Sequence, residues 1–346
     1  MEQTTSMRPR LPEFDWLKVL AFILLVFVHS DLESVFPEII LPLKWFMISC
    51  FFFVSGFLAF NSFHKRSANI RVFLKTKLLL LYVPFVAAVL LYFGLQTAIE
   101  MAAVNIWQLL SSVTLLNIFD SMNTLYNWGF LWFIPYLLLF MLIFCLLEKY
   151  VKNLKAQVLL VLLLWFITLL AWVFDTELKL GLLFSQYFLV FMIGVWLNKL
   201  GLYEKVMSVK TALVTVPFIA LFALDFSSLF TFDNALETLK ALLYSNVRSI
   251  ILSLSGVLLV LILLRKLRFP RNRFVELIAI TSIFIYLLDP FFGFIVSNYV
   301  FGQPTMYVSD GVAFYLYLIA RIFILLVLLP FVVNAIRCYA RNNFPR

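Results

Sequence analysis

Long, uninterrupted apolar runs constrain this chain more than any other feature of its sequence. They follow one another along most of the 346 residues, and 64% of the chain is hydrophobic whereas only 13% is charged. A water-soluble domain of this length cannot bury that much apolar surface, but a lipid bilayer accepts it. Because the runs are continuous and do not alternate, they favour spanning helices over a β-barrel. The sequence therefore predicts an all-α, polytopic membrane protein.

Ten segments are long and apolar enough to be predicted as transmembrane helices. They are residues 14–32, 41–60, 78–97, 129–147, 156–174, 183–200, 211–230, 246–264, 275–297 and 312–336. No stretch between them is long enough to fold alone, so we interpret residues 1–346 as a single membrane domain. Arg8 and Arg10 precede the first segment without a small-residue cleavage site, which predicts an uncleaved signal anchor.

Lysine and arginine are concentrated in the two tails and in every second connection between the segments. The connections of this basic group follow the second, fourth, sixth and eighth segments, whereas the other connections hold only Lys44, Lys179, Lys240 and Arg248. The positive-inside rule then predicts that the tails, 1–13 and 337–346, are both cytoplasmic. The net charge of +9 is thus mostly a topology signal, and it does not indicate a nucleic-acid partner.

The connection at 98–128 is long, is predicted to lie outside, and has no lysine or arginine. Its stretch IWQLLSSVTLLNIF is apolar enough to lie in the membrane interface or to dip back into the bilayer. Half-inserted segments persist only where protein buries them or where they line a cavity. Two interpretations stay open: a rim over the mouth of an active site, and an interfacial helix that only covers lipid.

Metal chemistry is not indicated by the sequence. The cysteines Cys50, Cys145 and Cys338 lie in or beside apolar segments without the spacing of metal ligands, and we interpret them as reduced packing residues. We therefore predict neither a metal site nor a permanently bound cofactor.

The first segment, FDWLKVLAFILLVFVHS at 14–30, contains both a lysine and a histidine. Lys18 and His29 are eleven residues apart, almost three helical turns, so both side chains share one face about 16 Å apart along the axis. A lysine at a helix end also snorkels to the interface, and a histidine there can be a satisfied helix-end residue. The chain's other histidine, His64, lies in a cytoplasmic connection and is predicted to be solvated. His29 is then the one candidate imidazole for chemistry inside the membrane.

Six stretches resemble the motifs of one family, in that family's order. They are the basic residue, ten residues and histidine from Lys18 to His29, FFFVSGFLAF (51–60), FLKTKLLLLYVPF (73–85), LWFIPYLL (131–138), YFLVFMIG (187–194) and SIFIYLLDPF (282–291). With ten predicted helices and both ends inside, the chain resembles the acyltransferase family 3 membrane proteins. These are integral-membrane acyltransferases that modify exported glycans and related molecules.

Two positions depart from the pattern of that family. Its third helix often carries two arginines three residues apart, and the matching positions here are Lys77 and Leu80. Lys75 and Arg71 are candidates to replace the missing cation. The family's late Tyr-Leu-Leu motif is often followed by histidine, where this chain has Asp289. Either change is compatible with a different acyl donor or substrate, or with an inactive member.

The resemblance implies a multi-pass protein of the cytoplasmic (inner) membrane. Its reaction would move an acyl group, acetyl or succinyl, from cytoplasmic acyl-coenzyme A to a hydroxyl of an exported or surface glycan, free or lipid-linked. This is O-acylation, such as O-acetylation, in polysaccharide modification. Acyl-coenzyme A is then a donor substrate, and membrane lipids surround the protein. Some relatives carry a soluble esterase-like domain for the final transfer. This chain would acylate its acceptor directly or use a separate extracytoplasmic partner.

The resemblance also suggests roles for individual residues. The phosphates of coenzyme A would bind the cytoplasmic basic residues, namely Lys18, Lys77, Lys75 and Arg71, because ammonium and guanidinium groups both hold phosphate. Positive-inside bias alone also explains basic residues on this side of the membrane. His29 would act as a general base or as a nucleophile.

Two further charges, Asp289 and Arg321, are predicted to lie inside the ninth and tenth segments. Asp289 lies about 21 Å from the cytoplasmic end of its helix, at the depth of His29. Unpaired ions inside a bilayer are costly, so each of these groups needs a partner or a wet cavity. Asp289 either orients His29 for catalysis or forms a structural ion pair with Arg321.

A different class of function is also compatible with ten helices and buried charges. A transporter or flippase for a lipid-linked glycan would share these features. The sequence lacks the internal symmetry and the paired Gly- or Pro-broken helices that mark many transporters. The third alternative is an inactive relative of the family, which the two departures suggest.

Overall fold

The computed structural model of the protein describes residues 11–100, 106–118, 129–174, 179–208, 210–213, 215–216, 235–302 and 307–343. Within these ranges every regular element is helical and no strand occurs. The all-α class predicted from the apolar runs is therefore confirmed.

We number the α-helices of the described residues α1 to α14 in chain order. Their bounds are Pro12–Val28, Leu32–Val35, Pro37–His64, Ile70–Lys77, Val83–Glu100, Ile106–Val113, Phe133–Tyr150, Leu154–Phe174, Lys179–Lys199, Tyr203–Val206, Ala235–Lys266, Arg273–Ile295, Val312–Phe323 and Leu329–Asn343. Three π-helical turns interrupt or extend them: Leu78–Tyr82 joins α4 to α5, Val296–Val300 follows α12, and Ile324–Leu328 joins α13 to α14.

Seven helical stretches of the described residues are long and apolar enough to cross a membrane. They are Pro37–His64, Ile70–Leu95, Phe133–Tyr150, Leu154–Ala171, Glu237–Lys266, Arg273–Gly293 and Val312–Tyr339. Each of them overlaps one of the ten predicted spans. Multi-pass membrane character is thus established by length and composition, which is the property that the sequence indicated most strongly.

The other three predicted spans have different outcomes. Helix α1 has 17 residues, about 26 Å at 1.5 Å per residue, which is slightly shorter than a typical hydrocarbon core. Helix α9 overlaps the predicted span 183–200 but is not among the seven. The predicted span 211–230 lies mostly outside the described residues. The count of ten and the cytoplasmic position of both termini therefore stay predictions.

Helices α3 and α9 pack with their backbones in direct contact. A Cβ atom on Gly56 would lie 2.0 Å from the carbonyl oxygen of Phe191, and one on Gly194 would lie 2.3 Å from that of Phe53. Small residues permit this approach between helices in a membrane, where van der Waals packing replaces the hydrophobic drive. Helix α3 also packs against α1 and α11, so it forms the centre of the bundle.

Helices α1 and α12 run side by side in the same direction. At their beginnings, the indole Nε1 of Trp16 donates to the carbonyl of Pro270 at 3.1 Å. At their other ends, the side chain of His29 contacts that of Asp289. Helices α5 and α13 pack against the same helix, α12. Four helices thus converge where the charges predicted inside the membrane are located.

Part of the 98–128 connection is described and is anchored to the bundle. The hydroxyl of Tyr82 donates to the carbonyl of Val113, the last residue of α6, at 2.7 Å. The Trp107 side chain on the same helix is 67% exposed. An exposed apolar face suits a helix that lies in the membrane interface. The two interpretations of this connection both remain, because residues 101–105 and 119–128 lie outside the described ranges.

Candidate active site

His29 and Asp289 meet at the ends of two neighbouring helices. His29 caps the C-terminus of α1, where its backbone N–H donates to Leu25. Its Nδ1 lies 2.7 Å from Oδ2 of Asp289 on α12. The aspartate side chain is fully buried, whereas 22% of the histidine side chain is exposed. The imidazole of His29 therefore contacts a buried carboxylate through Nδ1, while part of the ring stays exposed.

Arg321 binds the same carboxylate with both arms of its guanidinium group. Its Nε donates to Oδ1 of Asp289 at 2.8 Å, and its Nη2 donates to Oδ2 at 2.7 Å. The arginine side chain is only 2% exposed. This two-armed geometry is the strongest form of a carboxylate–guanidinium pair, and it holds the carboxylate in one orientation. The buried charge of Asp289 is thereby compensated.

The guanidinium of Arg321 also binds the end of the first helix. Its Nη1 donates to the carbonyl oxygen of His29 at 3.0 Å and to the hydroxyl of Tyr317 at 2.7 Å. The last carbonyls of a helix lack intrahelical partners and carry partial negative charge, so a cation there is favourable. Arg321 therefore fixes both the backbone of His29 and the carboxylate that its ring contacts.

This arrangement determines the tautomer of the histidine. Paired with a guanidinium, Asp289 acts as a carboxylate and can only accept hydrogen bonds, so the hydrogen in the contact with His29 belongs to Nδ1. In the neutral imidazole the lone pair is then on Nε2. A carboxylate that orients an imidazole in this way is the arrangement of a general base in acyl transfer.

The sequence left two roles open for Asp289, and the structure brings both sets of contacts together. The carboxylate contacts His29 and pairs with Arg321 at the same time. Gly293, one turn beyond Asp289 on α12, leaves the space that the guanidinium occupies. A Cβ atom on Gly293 would lie 2.9 Å from Cζ of Arg321.

We call His29, Asp289, Arg321 and Tyr317 the buried cluster. A cavity of about 170 Å³ lies on the side of this cluster toward the beginnings of α1 and α12. Its lining comes from α1, α3, α7, α12 and the α4–α5 junction. The lining residues are Lys18, Phe22, Phe51, Ser55, Leu58, Lys77, Leu81, Phe133, Ile134, Leu137, Met141, Ser282, Ile283 and Tyr286. The cavity is thus mainly apolar, with two lysines and a few hydroxyl groups.

His29 and Asp289 do not line the cavity, but two of its lining residues are close to them in the chain. Phe22 and Tyr286 line the cavity. His29 is seven residues beyond Phe22 on α1, and Asp289 is three residues beyond Tyr286 on α12. Lys18 precedes Phe22 by one helical turn. The cavity therefore extends from the cationic end toward the buried cluster.

Four aromatic residues of the cavity lining contact one another in a row. Phe22 and Phe51 have ring centroids 4.7 Å apart, Phe51 and Phe133 are 5.9 Å apart, and Phe133 and Tyr286 are 5.2 Å apart. We call these four residues the aromatic cluster. Phe22 and Tyr286 are the lining residues of α1 and α12 that are nearest in the chain to His29 and Asp289.

The four predicted coenzyme-binding residues are not all in one place. Lys18 and Lys77, both half-buried, line the cavity together. Arg71 and Lys75 are exposed on α4 and do not line it. Position 80, which lacks the family's second cation, is also off the cavity, because Leu80 is not among its lining residues. The π-helical turn Leu78–Tyr82 places Leu81 on the cavity instead.

The other histidine lies near the end of α3, away from the cavity. His64 is 38% exposed, with Nδ1 at 3.0 Å from the carbonyl of Phe60 and Nε2 at 3.7 Å from Oε1 of Glu148. It was predicted to be solvated, and it lies at the surface with one carboxylate in reach.

Sequence reasoning missed Tyr317 and the aromatic cluster. Tyr317 is four residues before Arg321, which is the helical spacing that brings two side chains together. With Arg321 predicted to lie inside the membrane, this spacing indicates Tyr317 as a neighbour of its side chain. The aromatic cluster had no comparable signal, because phenylalanine is abundant in all of these helices.

Comparison with known proteins adds a family to this geometry. A family model described as an acyltransferase domain matches residues 11–335. The match covers nearly the whole chain and includes every residue of the cavity and of the buried cluster. Searches of curated proteins and of solved structures gave no match.

Proposed function

The chain belongs to this acyltransferase family, and from that membership we propose that it transfers an acyl group from acyl-coenzyme A to a hydroxyl group across the membrane. The donor would enter from the cytoplasm, and the acceptor would be an exported or surface glycan, free or lipid-linked. Acetyl and succinyl are the acyl groups that we propose. The location would be the cytoplasmic membrane.

The cavity supports the donor part of the proposal. Lys18 and Lys77 place two ammonium groups at one end of it, and ammonium groups bind phosphate as point charges. The remaining lining is apolar and suits the thioester and its acyl group. A phosphopantetheine arm would extend from the lysines toward the aromatic cluster. Arg71 and Lys75 would contribute to the charge around the entrance.

The chemical step follows from the tautomer of His29. Nε2 would accept the proton of the acceptor hydroxyl while its oxygen attacks the thioester carbonyl. The new C–O bond forms, the C–S bond breaks, and the coenzyme A thiolate leaves and takes up the proton from the imidazolium. Asp289 would stabilise the transient imidazolium. This assignment makes His29 a general base, although a nucleophilic role for the same nitrogen would give an identical net reaction.

The observation that carries the proposal is the contact between Nδ1 of His29 and Asp289. A histidine that only completes a helix end needs no buried carboxylate at 2.7 Å. A histidine that must gain and lose a proton benefits from such a carboxylate, because the carboxylate holds the ring in one tautomer and balances its charge.

The two histidines of the chain provide a matched test. Purified protein in lipid nanodiscs would be supplied with acetyl- or succinyl-coenzyme A, and thiol release would be measured with and without a glycan fraction from membranes. His29→Ala should reduce the rate by roughly 10²-fold or more. His64→Ala, which changes the exposed histidine, should retain the rate of the wild type. Equal activity of His29→Ala and wild type would overturn the mechanism.

The alternatives predict other results in the same preparation. A flippase would leave acyl-coenzyme A intact and move a labelled lipid-linked glycan across proteoliposomes. An inactive relative would do neither. A separate extracytoplasmic partner would be indicated if acyl groups leave coenzyme A but reach the glycan only when the membrane extract is added.

A further inference from the structure

Tyr92 on α5 reaches into the backbone of α12 beside the buried carboxylate. Its hydroxyl donates to the carbonyl oxygen of Leu287 and accepts the backbone N–H of Phe291 at 3.2 Å. The side chain is fully buried. Leu287 and Phe291 are four residues apart, so they are the two partners of an ordinary helical hydrogen bond. The hydroxyl lies between them, and Asp289 is midway along the same turn.

This turn of α12 lacks one backbone hydrogen-bond donor. Pro290 lies inside the helix and has no N–H, so the carbonyl of Tyr286 lacks its usual helical donor. A proline also disfavours the helical conformation of the residue before it, which here is Asp289. An inserted side chain together with proline is a recognised cause of a local opening in a helix. The carboxylate of Asp289 thus projects from a turn that has one backbone hydrogen bond fewer than a regular helix.

The hydroxyl of Tyr92 adds two hydrogen bonds to this turn, one to Leu287 and one from Phe291. One group that donates to Leu287 and accepts from Phe291 connects both sides of the turn and ties them to a different helix. Such contacts count inside a membrane, where no solvent compensates for a missing backbone hydrogen bond. The position of Asp289, and with it the ring of His29, then depends on α5 as well as on α12.

We infer that Tyr92 is a positioning residue for the Asp289–His29 contact, acting through the proline-containing turn of α12. The expected effect on catalysis rests on the proposed function. The expected effect on the position of Asp289 relative to His29 does not depend on it. Loss of the hydroxyl should displace Asp289 relative to His29 without changing the cavity that would hold the donor, because Tyr92 is not among the residues that line it.

The first test is spectroscopic and does not require turnover. The chain has two histidines, so His64→Gln leaves a protein in which ¹⁵N-histidine labelling reports on His29 alone. In that background the Nδ1 resonance should move in Tyr92→Phe in the same direction as in Asp289→Asn. Tyr136→Phe is the matched control, because Tyr136 is also a buried tyrosine that donates to a backbone carbonyl, that of Ile118 at 3.3 Å.

The second test is kinetic. Tyr92→Phe should lower kcat by up to about 10²-fold with the KM for acyl-coenzyme A unchanged. In the Asp289→Asn background the same change should have a much smaller effect, because the group that it positions is already altered. A merely structural tyrosine would instead cost the same factor in both backgrounds.

These outcomes separate the inference from the proposed function. An unmoved Nδ1 resonance in Tyr92→Phe, or an equal movement in Tyr136→Phe, overturns the positioning role even if the protein is an active acyltransferase. A moved resonance in a protein without turnover supports the positioning role and contradicts the proposed function. If Tyr92→Phe does not accumulate, a fluorinated tyrosine at position 92 keeps the hydroxyl but makes it a weaker acceptor. The resonance should then still move, and an unmoved one overturns the inference.

Discussion

His29 and Asp289 are 260 residues apart in the chain, yet Nδ1 of the histidine and Oδ2 of the aspartate are 2.7 Å apart. The contact joins the C-terminal end of α1 to α12. Arg321 binds the carboxylate of one partner and the backbone carbonyl of the other. The three residues therefore form one hydrogen-bonded unit, and a substitution of any of them should alter the positions of the other two side chains.

Asp289→Asn should reduce acyl transfer strongly, and it should also lower stability because the buried Arg321 loses its charged partner. The amide can donate to His29 as well as accept from it, so the imidazole loses its fixed tautomer. Comparable changes in histidine–carboxylate pairs cost about 10⁴-fold in kcat. Thiol release from acyl-coenzyme A measures the effect, with His64→Ala as the unaffected control. Retention of more than half the rate would contradict an orienting role for Asp289.

The pairing of Asp289 with Arg321 should be visible in stability. Arg321→Met leaves a buried carboxylate without its cation, which typically costs about 3–5 kcal/mol. The double variant Arg321→Met, Asp289→Leu removes both charges and should be more stable than Arg321→Met alone. Thermal unfolding of the four proteins in one detergent completes the cycle. Strictly additive changes in stability would show that the two residues do not interact.

Lys18→Ala should weaken the binding of acyl-coenzyme A. The residue lines the cavity with Lys77, and loss of one charge-assisted phosphate contact is worth about 1.5–3 kcal/mol, or roughly 10- to 10²-fold in Kd. Lys149→Ala is the matched control, because Lys149 lies in the last turn of α7 and does not line the cavity. Isothermal calorimetry measures both. Equal affinities of Lys18→Ala and wild type would indicate a lysine that only snorkels to the interface.

Phe133→Ala should change the preference for the acyl group. Phe133 connects Phe51 and Tyr286 in the aromatic cluster, so its removal lengthens the apolar end of the cavity. An extra methylene in such a pocket is worth about 1–3 kcal/mol, so kcat/KM for propionyl- relative to acetyl-coenzyme A should rise by roughly 10-fold. Phe166→Ala, on α8 and 39% exposed, should leave the ratio unchanged. A constant ratio in Phe133→Ala would exclude the cluster as the limit on chain length.

Two glycines should respond to alanine in opposite ways. Gly56→Ala places a Cβ atom 2.0 Å from the carbonyl of Phe191, so α3 and α9 must separate and stability should fall by about 1–3 kcal/mol. Gly94 on α5 has nothing within 4 Å of the same position. Gly94→Ala should therefore be neutral or should stabilise the helix by up to about 1 kcal/mol. Thermal unfolding measures both, and similar melting temperatures would contradict the close α3–α9 contact.

Features that depend on local pattern could be predicted from the amino-acid sequence. Apolar runs of sufficient length predict helices because a helix satisfies its own backbone in lipid. Seven of the ten predicted spans recur as helices able to cross a membrane. The eleven-residue spacing of Lys18 and His29 put them on one helix face, because the helical repeat is a local property. The six ordered motifs gave the family, which the match over residues 11–335 confirms.

Which of these side chains contact one another depends on the tertiary structure. Depth in the membrane could be counted along each helix, but the rotation of a helix about its axis depends on its neighbours. That rotation puts Lys18 and Lys77 on one cavity and leaves Lys75 outside it. It also lets Asp289 contact His29 and Arg321 at once, where the sequence offered the two partners as alternatives. Side-chain packing between helices distant in the chain sets these rotations, and no local pattern encodes them.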